Sequence, residues 1–315
     1  MDPFPGAVGA DVGGIVELTL DYHSSYRFVV SLTCEHVYRR RSRNGRQTVR
    51  DVKWQDEQLA DVRAGMQGTR LHFLFHPPGE LPQSSAGHDS RYEWTIQISA
   101  DLPGMDFDRS WEIPVLLNAG PQNARHQIRG HRIESGTRTL SSQLVRIRET
   151  GAGIELYYPY LRHLNPAFAT LLTGAGFAGF AWLFHTLADG DGLSRLFIGL
   201  FILAGGLILA WGLYLPGNSL RVTADRQGLT IVRGIFGLHF TRHVDAGEIT
   251  AIEKSIGMQA SQGDQSRAYY RIEVQARDGR RTAAGAGIPG ASNVDAIIRK
   301  IKRALDLPGL KDIPG

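Results

Sequence analysis

The sequence predicts a mainly β protein that is interrupted by a transmembrane α-hairpin. Two long segments carry no Asp, Glu, Lys or Arg, and a bilayer core needs about 20 such residues in a helix. On either side, apolar and polar residues alternate in short runs, which is typical of half-buried strands. We therefore predict an antiparallel β-sandwich, a connector with one strand, the hairpin, and a β-domain with a closing amphipathic helix. Their bounds are residues 1–117, 118–165, 166–215 (helices 166–187 and 196–215) and 217–315.

The first 117 residues contain several strand patterns that are separated by turn residues. Every second residue is apolar in residues 28–34, 69–76 and 92–98. Pro77-Pro78-Gly79 ends the second of these runs, because proline cannot donate a ladder hydrogen bond. Cys34 lies on an apolar strand face, so we expect it in the core rather than as a nucleophile. A lone cysteine also agrees with a reducing compartment.

Four stretches of this part resemble one lobe of an arrestin-type sandwich. They are residues 73–82 (FLFHPPGELP), 92–95 (YEWT), 102–107 (LPGMDF) and 112–115 (EIPV). Residues 13–115 as a whole resemble a group of bacterial two-span membrane proteins of unknown function that combine such a lobe with membrane spans. The resemblance implies a scaffold or recognition module, since arrestin-like lobes bind partner segments and have no known catalytic centre.

The two apolar segments are joined by a short polar loop with the turn-forming sequence Asp189-Gly190-Asp191-Gly192. The alternative is a pair of buried helices in a soluble bundle, which two such segments lying back to back disfavour. Small residues recur four positions apart, a spacing that allows close helix contact within the hairpin or between two copies. These residues are Gly174 with Ala178, Ala175 with Gly179, and Gly206 with Ala210.

Charged residues around the hairpin predict its orientation. Arg162 precedes the first segment, and Arg221 and Arg226 follow the second, whereas the loop carries two Asp and one Arg. Residues 1–5 are acidic and interrupted by proline, unlike the basic and apolar regions of a signal peptide. We expect a multi-pass protein of the bacterial inner (cytoplasmic) membrane with both soluble parts in the cytoplasm.

Residues 217–315 contain six strand-like runs and then one helical pattern. Ser292 with Asp295 three residues later predicts a variant of the capping box, and apolar residues follow at helical spacing. Strands followed by one amphipathic helix resemble the pleckstrin-homology-like domains attached to bacterial membrane proteins. The strand pattern near Ile154 belongs either to the connector or to this β-domain, and in the second case the hairpin is an insertion in the domain.

Two groups of cations are candidate contacts for anionic lipid or for a protein partner. The first group is Arg39, Arg40, Arg41, Arg43 and Arg46, around Asn44-Gly45, and its simpler interpretation is a solvated turn. The second group is Arg299, Lys300, Lys302 and Arg303, and its simpler interpretation is the polar face of an ordinary amphipathic helix. Nucleic acid is not an expected partner, because no recognised binding motif accompanies these charges.

The sequence contains no complete catalytic or metal-binding pattern. His72 and His76 share a strand face, but four residues along a strand separate their rings by about 13 Å, too far to share an ion. Asp101, Asp106 and Asp108 flank a turn, and a turn rich in Asp is the ordinary interpretation. There is no phosphate-binding glycine loop with its lysine. No cofactor or metal is predicted.

The function that these observations favour is a non-enzymatic membrane scaffold that recruits a protein or organises itself at the membrane surface. Two alternatives stay open. One is a membrane-anchored hydrolase that uses the loop from Asp101 to Asp108. The other is an accessory subunit of a transporter or envelope-maintenance complex, with the glycine-rich spans packed on a larger channel.

Overall fold

A computed structural model describes residues 1–2, 4–42, 45–117, 145–151, 153–159, 164–187, 192–214, 217–262 and 265–307. The first strands are β1 (Gly6–Ala7), β2 (Val12–Leu18), β3 (Val29–Ser42), β4 (Gly45–Leu59), β5 (Asp61–Gly65), β6 (Gly68–Phe75), β7 (Ser90–Leu102), β8 (Met105–Glu112) and β9 (Val115–Leu116). Then follow β10 (Arg146–Thr150), β11 (Gly153–Tyr158), α1 (Leu164–Leu187), α2 (Gly192–Tyr214), β12 (Asn218–Asp225), β13 (Gly228–Ile235), β14 (Leu238–Asp245), β15 (Ile249–Gln262), β16 (Gln265–Ala276), β17 (Arg281–Pro289) and α3 (Ala291–Ala304).

The N-terminal part is built from two antiparallel sheets. One has the strand order β2-β6-β5 and the other the order β4-β3-β7-β8, while the short β1 and β9 pair in parallel. Their apolar faces contribute to one buried cluster, with Leu71 and Phe75 from the first sheet and Leu32 and Ile98 from the second. The mainly β prediction is confirmed, and alternating apolar residues place one face of strands such as β3, β6 and β7 in this core.

Strands β3 and β4 extend beyond the rest of their sheet. The last pair between β3 and β7 is Tyr38 with Ser90, whereas β3 and β4 continue pairing as far as Ser42 with Gly45. The two strands therefore form a two-stranded projection, the β3–β4 extension, at residues 39–42 and 45–48. The simpler interpretation of its arginines was a turn, but most of them lie in paired strands.

The C-terminal part contains a five-stranded antiparallel sheet, β10-β11-β12-β13-β14, a three-stranded sheet, β15-β16-β17, and helix α3. Strand β11 precedes the helical hairpin and β12 follows it, yet the two pair directly, as in Ile154 with Ala224. The strand near Ile154 thus belongs to this sheet and not to a separate connector, because its buried residues Ile154, Leu156 and Tyr158 match the apolar face of β12. Residues 118–144 of the predicted connector lie outside the described residues.

Helices α1 and α2 form an antiparallel pair between these two strands. The predicted bounds were 166–187 and 196–215, and α2 begins four residues earlier than predicted. Both helices are long and apolar enough to cross a membrane, by length and composition. Only 17% and 11% of their apolar spans is buried within the protein. Most of the surface of these spans is therefore not covered by the described residues of the protein.

Candidate functional site

The edge strand β4 of the N-terminal part docks on β16 and α3 of the C-terminal part. The Tyr270 hydroxyl accepts a hydrogen bond from the Gln55 N–H (2.9 Å) and donates one to the Gln55 carbonyl (3.0 Å). The Gln55 amide donates to Thr33 Oγ1 (2.8 Å) and to the Ser266 carbonyl (3.2 Å), and Gln55 Oε1 accepts from the Ala268 N–H (2.6 Å). In each part, backbone N–H and C=O groups at an open strand edge therefore form hydrogen bonds with a side chain of the other part.

The same exchange recurs further along β4. Gln259 Oε1 accepts from the Val52 N–H (3.3 Å), and Gln259 Nε2 donates to the Val52 carbonyl (3.2 Å) and to Asp51 Oδ1 (3.2 Å). The side-chain amide of Gln259 on β15 thus bonds the backbone of β4 as the peptide group of a neighbouring strand would. We call the contact made by Gln55, Asp56 and Glu57 with Tyr270, Arg267 and Ser292, together with this Gln259 pair, the domain interface.

Asp56 stabilises the beginning of α3 from the other part of the molecule. Its Oδ1 accepts from the Ser292 and Glu57 N–H groups (both 3.0 Å), and its Oδ2 accepts from Ser292 Oγ (2.5 Å). The N-cap residue Gly290 makes no side-chain cap, and its φ of +78° suits glycine. Burial raises the pKa of the Asp56 carboxyl, and the hydrogen bonds from Ser292 oppose this rise. A carboxylate at a helix N-terminus also meets the positive end of the helix dipole.

The predicted capping box of α3 is therefore wrong. The helix begins at Ala291, so Ser292 lies inside the first turn and cannot precede it. Asp295 instead forms an ion pair with Lys254, with both carboxylate oxygens 2.7 Å from Nζ. The predicted apolar stripe of the helix is buried, at Val294, Ile297, Ile298, Ile301 and Leu305.

Glu57 adds an ion pair to the domain interface, between its buried carboxylate and the partly exposed Arg267. Its Oε1 lies 3.3 Å from Arg267 Nε, outside good hydrogen-bond geometry but within ion-pair distance. Burial raises the pKa of the Glu57 carboxyl, Arg267 lowers it, and the neighbouring Asp56 carboxylate raises it. The interface is thus polar and largely buried, with its main groups held by directional contacts.

The candidate arginines of the β3–β4 extension are exposed on paired strands. Arg41 faces Arg46 across the strands, Arg40 faces Gln47, and Arg39 donates to His88 Nε2 (2.9 Å). Arg43 lies outside the described residues. Arg50 differs from them, because it is half-buried and donates to Glu35 (2.9 Å) and Glu93 (2.8 Å), whose carboxylates are buried. The arginines of this region therefore fall into two groups. Arg50 belongs to an ion-pair cluster with Glu35 and Glu93, and the arginines of the β3–β4 extension are exposed.

The candidate basic face of α3 is not one continuous surface. Arg299 and Arg303 are exposed, but Lys300 Nζ lies 3.0 Å from the Glu149 carboxylate of β10. Lys302 is only 7% exposed. The position of α3 between the two sheets explains this difference, since helical spacing alone does not say how much of the polar face the neighbouring strands cover.

The candidate acidic loop is a strand hairpin. Asp101 faces Asp106 across the β7–β8 turn, and Asp108 accepts from Gln97 Nε2 (2.9 Å). In the described part of the chain, no group of three or more His, Cys, Asp or Glu residues is placed to hold a metal. The carboxylate that does meet a helix N-terminus, that of Asp56, carried no recognisable sequence signal.

Cys34 is a core residue, as the sequence predicted. It is fully buried, and burial raises the pKa of its thiol to about 12. The protonated thiol is a poor nucleophile.

The two apolar helices contact each other through some of the predicted small residues. A Cβ on Gly174 would lie 2.7 Å from Leu209 Cγ, and one on Gly205 would lie 3.4 Å from the Ala178 N. Neither Gly205 nor Gly212 was predicted, and Gly212 packs against Leu171 in the same way. In contrast, a Cβ on Gly179 or Gly206 would meet no atom within 4 Å, and Ala175 and Ala210 are exposed.

Among the comparisons with known proteins, the comparison with solved structures finds similar chains. No protein-family model matches the chain, and no curated protein matches it. The chain is similar to the crystal structure of Spo0M, a sporulation control protein from Bacillus subtilis, with 12% sequence identity over 96% of this chain and 95% of that one. The TM-score of 0.24 is too low for this similarity to support a conclusion about fold or function.

Proposed function

We propose that the protein is a membrane-anchored, non-enzymatic scaffold whose two β-rich parts are held as one unit on one side of a bilayer. The observation that carries this proposal is the position of α1 and α2 between β11 and β12. These strands are hydrogen-bonded neighbours, so the chain leaves the sheet and returns to it at one place. An antiparallel helical pair that starts and ends at one place turns at its far end, which keeps the rest of the protein on the near side.

The domain interface supports extending this placement to the N-terminal part. Hydrogen bonds that involve Gln55, Asp56 and Tyr270 join the two parts, so the position of the N-terminal sheets follows that of the C-terminal ones. This arrangement leaves the exposed arginines of the β3–β4 extension outside the interface. An extended cationic hairpin suits an acidic segment of a partner protein.

The fold types of the two β-rich parts and the side of the membrane on which they lie belong to the same proposal. An arrestin-like N-terminal sandwich agrees with the antiparallel sheets, and a pleckstrin-homology-like C-terminal domain agrees with two sheets closed by one helix. The flanking cations Arg221 and Arg226, against two Asp and one Arg in the loop between the helices, favour the cytoplasmic side of a bacterial inner membrane.

Cysteine accessibility tests the arrangement. In a Cys34→Ala background, we would introduce single cysteines at Gly190 between the helices, Arg40 in the N-terminal part and Gln227 in the C-terminal part. An impermeant thiol reagent should label only G190C in intact cells, and R40C and Q227C only after permeabilisation. Labelling of R40C and Q227C but not G190C would overturn the cytoplasmic placement, and different behaviour of R40C and Q227C would overturn the single-sided unit.

Photo-crosslinking tests the scaffold role. A photoreactive residue at Arg40 should yield a discrete crosslinked partner in living cells, and the Arg41→Gln, Arg46→Gln double variant should lose that product because it removes the cations. The same photoreactive residue at Gln227, on the other part of the molecule, is the control. No specific product at Arg40 would count against recruitment through this extension.

A further inference from the structure

The turn between β13 and β14 exposes three large apolar side chains within five residues. Phe236, Leu238 and Phe240 are 64%, 66% and 59% exposed, and we call them the apolar tip. Turns between strands are ordinarily polar. An exposed apolar cluster of this kind marks a surface that meets a partner or a membrane.

The apolar tip lies beside the end of the helical pair. The Phe236 N–H donates to the Gly217 carbonyl (3.0 Å), and α2 ends only three residues before Gly217, at Tyr214. A Cβ on Gly217 would lie within 2.9 Å of three atoms of the Phe236 ring, so the ring rests against the chain that leaves the helix. The pair Tyr158 with Leu220 places the end of β11, which leads into α1, at the same end of the sheet.

The sheet extends past its own core at this end. Val244 is buried on the core face of β14, and Leu238, Phe240 and Arg242 continue the same face by strand alternation. Partners across β13 follow the same order, because Leu229 faces Val244 in the core and Ile235 faces Leu238 at the tip. The exposed apolar residues are thus a continuation of the core face with no protein element covering them within the described residues.

Charge along this hairpin is of one sign as far as Val244, the residue before Asp245 at the end of β14. Residues 226–244 contain three Arg and two His and no Asp or Glu. Arg233 faces Phe240 and is level with the inner residue of the apolar tip, and Arg242 faces Ile231, two residue pairs further from the helices. Apolar side chains in front, with exposed cations level with their inner end and behind it, match the boundary between acyl chains and anionic headgroups.

We propose that the apolar tip inserts into the leaflet from which α1 and α2 emerge, and that Arg233 and Arg242 bind anionic lipid headgroups there. The tip would give the C-terminal sheet a third contact with the bilayer, next to the two helix ends, and so hold the sheet at a defined tilt. This inference rests on the proposed membrane anchoring. Its occupant is the lipid surface, and a second copy or a protein partner on the tip is an outcome that would overturn it.

Depth-dependent quenching tests the insertion in the full chain. Single cysteines at Leu238, Gln227 and Gly199, in the Cys34→Ala background, carry an environment-sensitive fluorophore in nanodiscs of phosphatidylethanolamine and phosphatidylglycerol. Lipids with a nitroxide near the headgroup should quench the L238C label, because an interfacial element lies about 5–10 Å inside the boundary. The matched control Q227C lies at the other end of β13, about 25 Å away at ~3.3 Å per residue, and should not be quenched.

The G199C label separates the two possible failures. A Cβ at Gly199, within α2, meets no atom within 4 Å, so the label points into open space on the helix. If lipid nitroxides leave G199C unquenched, the membrane anchoring itself is wrong. If G199C is quenched and L238C is not, the anchoring stands and the insertion of the tip is wrong.

Lipid charge and protein concentration complete the test. Removing phosphatidylglycerol should reduce quenching at L238C, and Arg233→Gln with Arg242→Gln should abolish this dependence, whereas Arg226→Gln at the far end of β13 should keep it. A dependence on phosphatidylglycerol that survives the double variant would overturn the headgroup assignment. An L238C label that is shielded from a water-soluble quencher only at high protein concentration would assign the tip to a second copy.

Discussion

The C-terminal part meets its surroundings through two surfaces of opposite character. Toward the N-terminal part it offers polar groups, and Tyr270, Ser266 and Ser292 are all hydrogen-bonded to β4. At the helix end it offers apolar side chains, on α1, α2 and the apolar tip, and most of them are exposed. Tyr270 and Ser266 are buried and most of the apolar groups at the helix end are not, which is the reverse of the ordinary arrangement in a soluble domain.

The two kinds of contact constrain different features of the molecule. Hydrogen bonds are directional, so a buried polar interface fixes how the two β-rich parts are oriented. In the proposed anchoring, apolar contact with lipid is not directional, and each such contact sets the depth of its own element in the layer. A rigid soluble unit on an apolar anchor therefore needs both surfaces, and each can be broken separately.

The largest effect is expected from Gln55→Ala at the domain interface. The variant leaves the Ala268 N–H and the Ser266 carbonyl without their partner, and a buried unsatisfied group costs about 1–3 kcal/mol. We expect the free energy of unfolding to fall by about 2–4 kcal/mol, measured by denaturant titration in mild detergent.

Gln58→Ala is the matched control for this variant. Gln58 lies on the same strand, but its side-chain amide bonds within the N-terminal part, where Nε2 donates to the Leu74 carbonyl (2.9 Å). We expect a cost of about 1 kcal/mol. Proteolysis between the two parts should accelerate in Q55A and not in Q58A. Equal behaviour of the two variants would show that the interface does not hold the parts together.

The second effect is expected in the helical pair. Leucine at Gly174 would overlap Leu209, including its backbone N at 3.0 Å, and overpacking costs about 1–3 kcal/mol. Leucine at Gly179 would point into open space, so we expect a change within about 0.5 kcal/mol. Thermal unfolding of helix signal in detergent checks both. A melting temperature that falls equally in G174L and G179L would mean that Gly179 also packs against something, such as a second copy.

The smallest effect is a pH dependence at Asp56. Burial raises the pKa of this carboxyl in the folded protein, so its contribution is fully present below the ordinary Asp pKa and is lost as pH rises through the raised value. The amide of Asp56→Asn keeps a similar shape but does not titrate. The stability of D56N relative to the unchanged protein should therefore increase from acid to neutral pH. Denaturant titrations across this range check the sign, and a constant difference would contradict it.

The local elements could be predicted from the amino-acid sequence. Alternation at residues 69–76 predicted β6, the uncharged segments predicted α1 and α2 within a few residues at most ends, and the apolar spacing from Val294 to Leu305 predicted the buried stripe of α3. These signals are readable because they repeat with the period of the element itself, 2 for a strand and 3.6 for a helix.

How these elements pack together could not be predicted in this way and is seen in the three-dimensional structure. The pairing of Ile154 with Ala224 spans the whole helical hairpin, and the bonds from Asp56 to Ser292 span most of the chain. No local period records such a partner, because any apolar strand face or free carboxylate would satisfy the same pattern. Gly174 and Gly205 contact the opposite helix, whereas Gly179 and Gly206 do not, and only the position of that helix distinguishes the two pairs. Partner choice is a property of three-dimensional packing, and the sequence alone left it open.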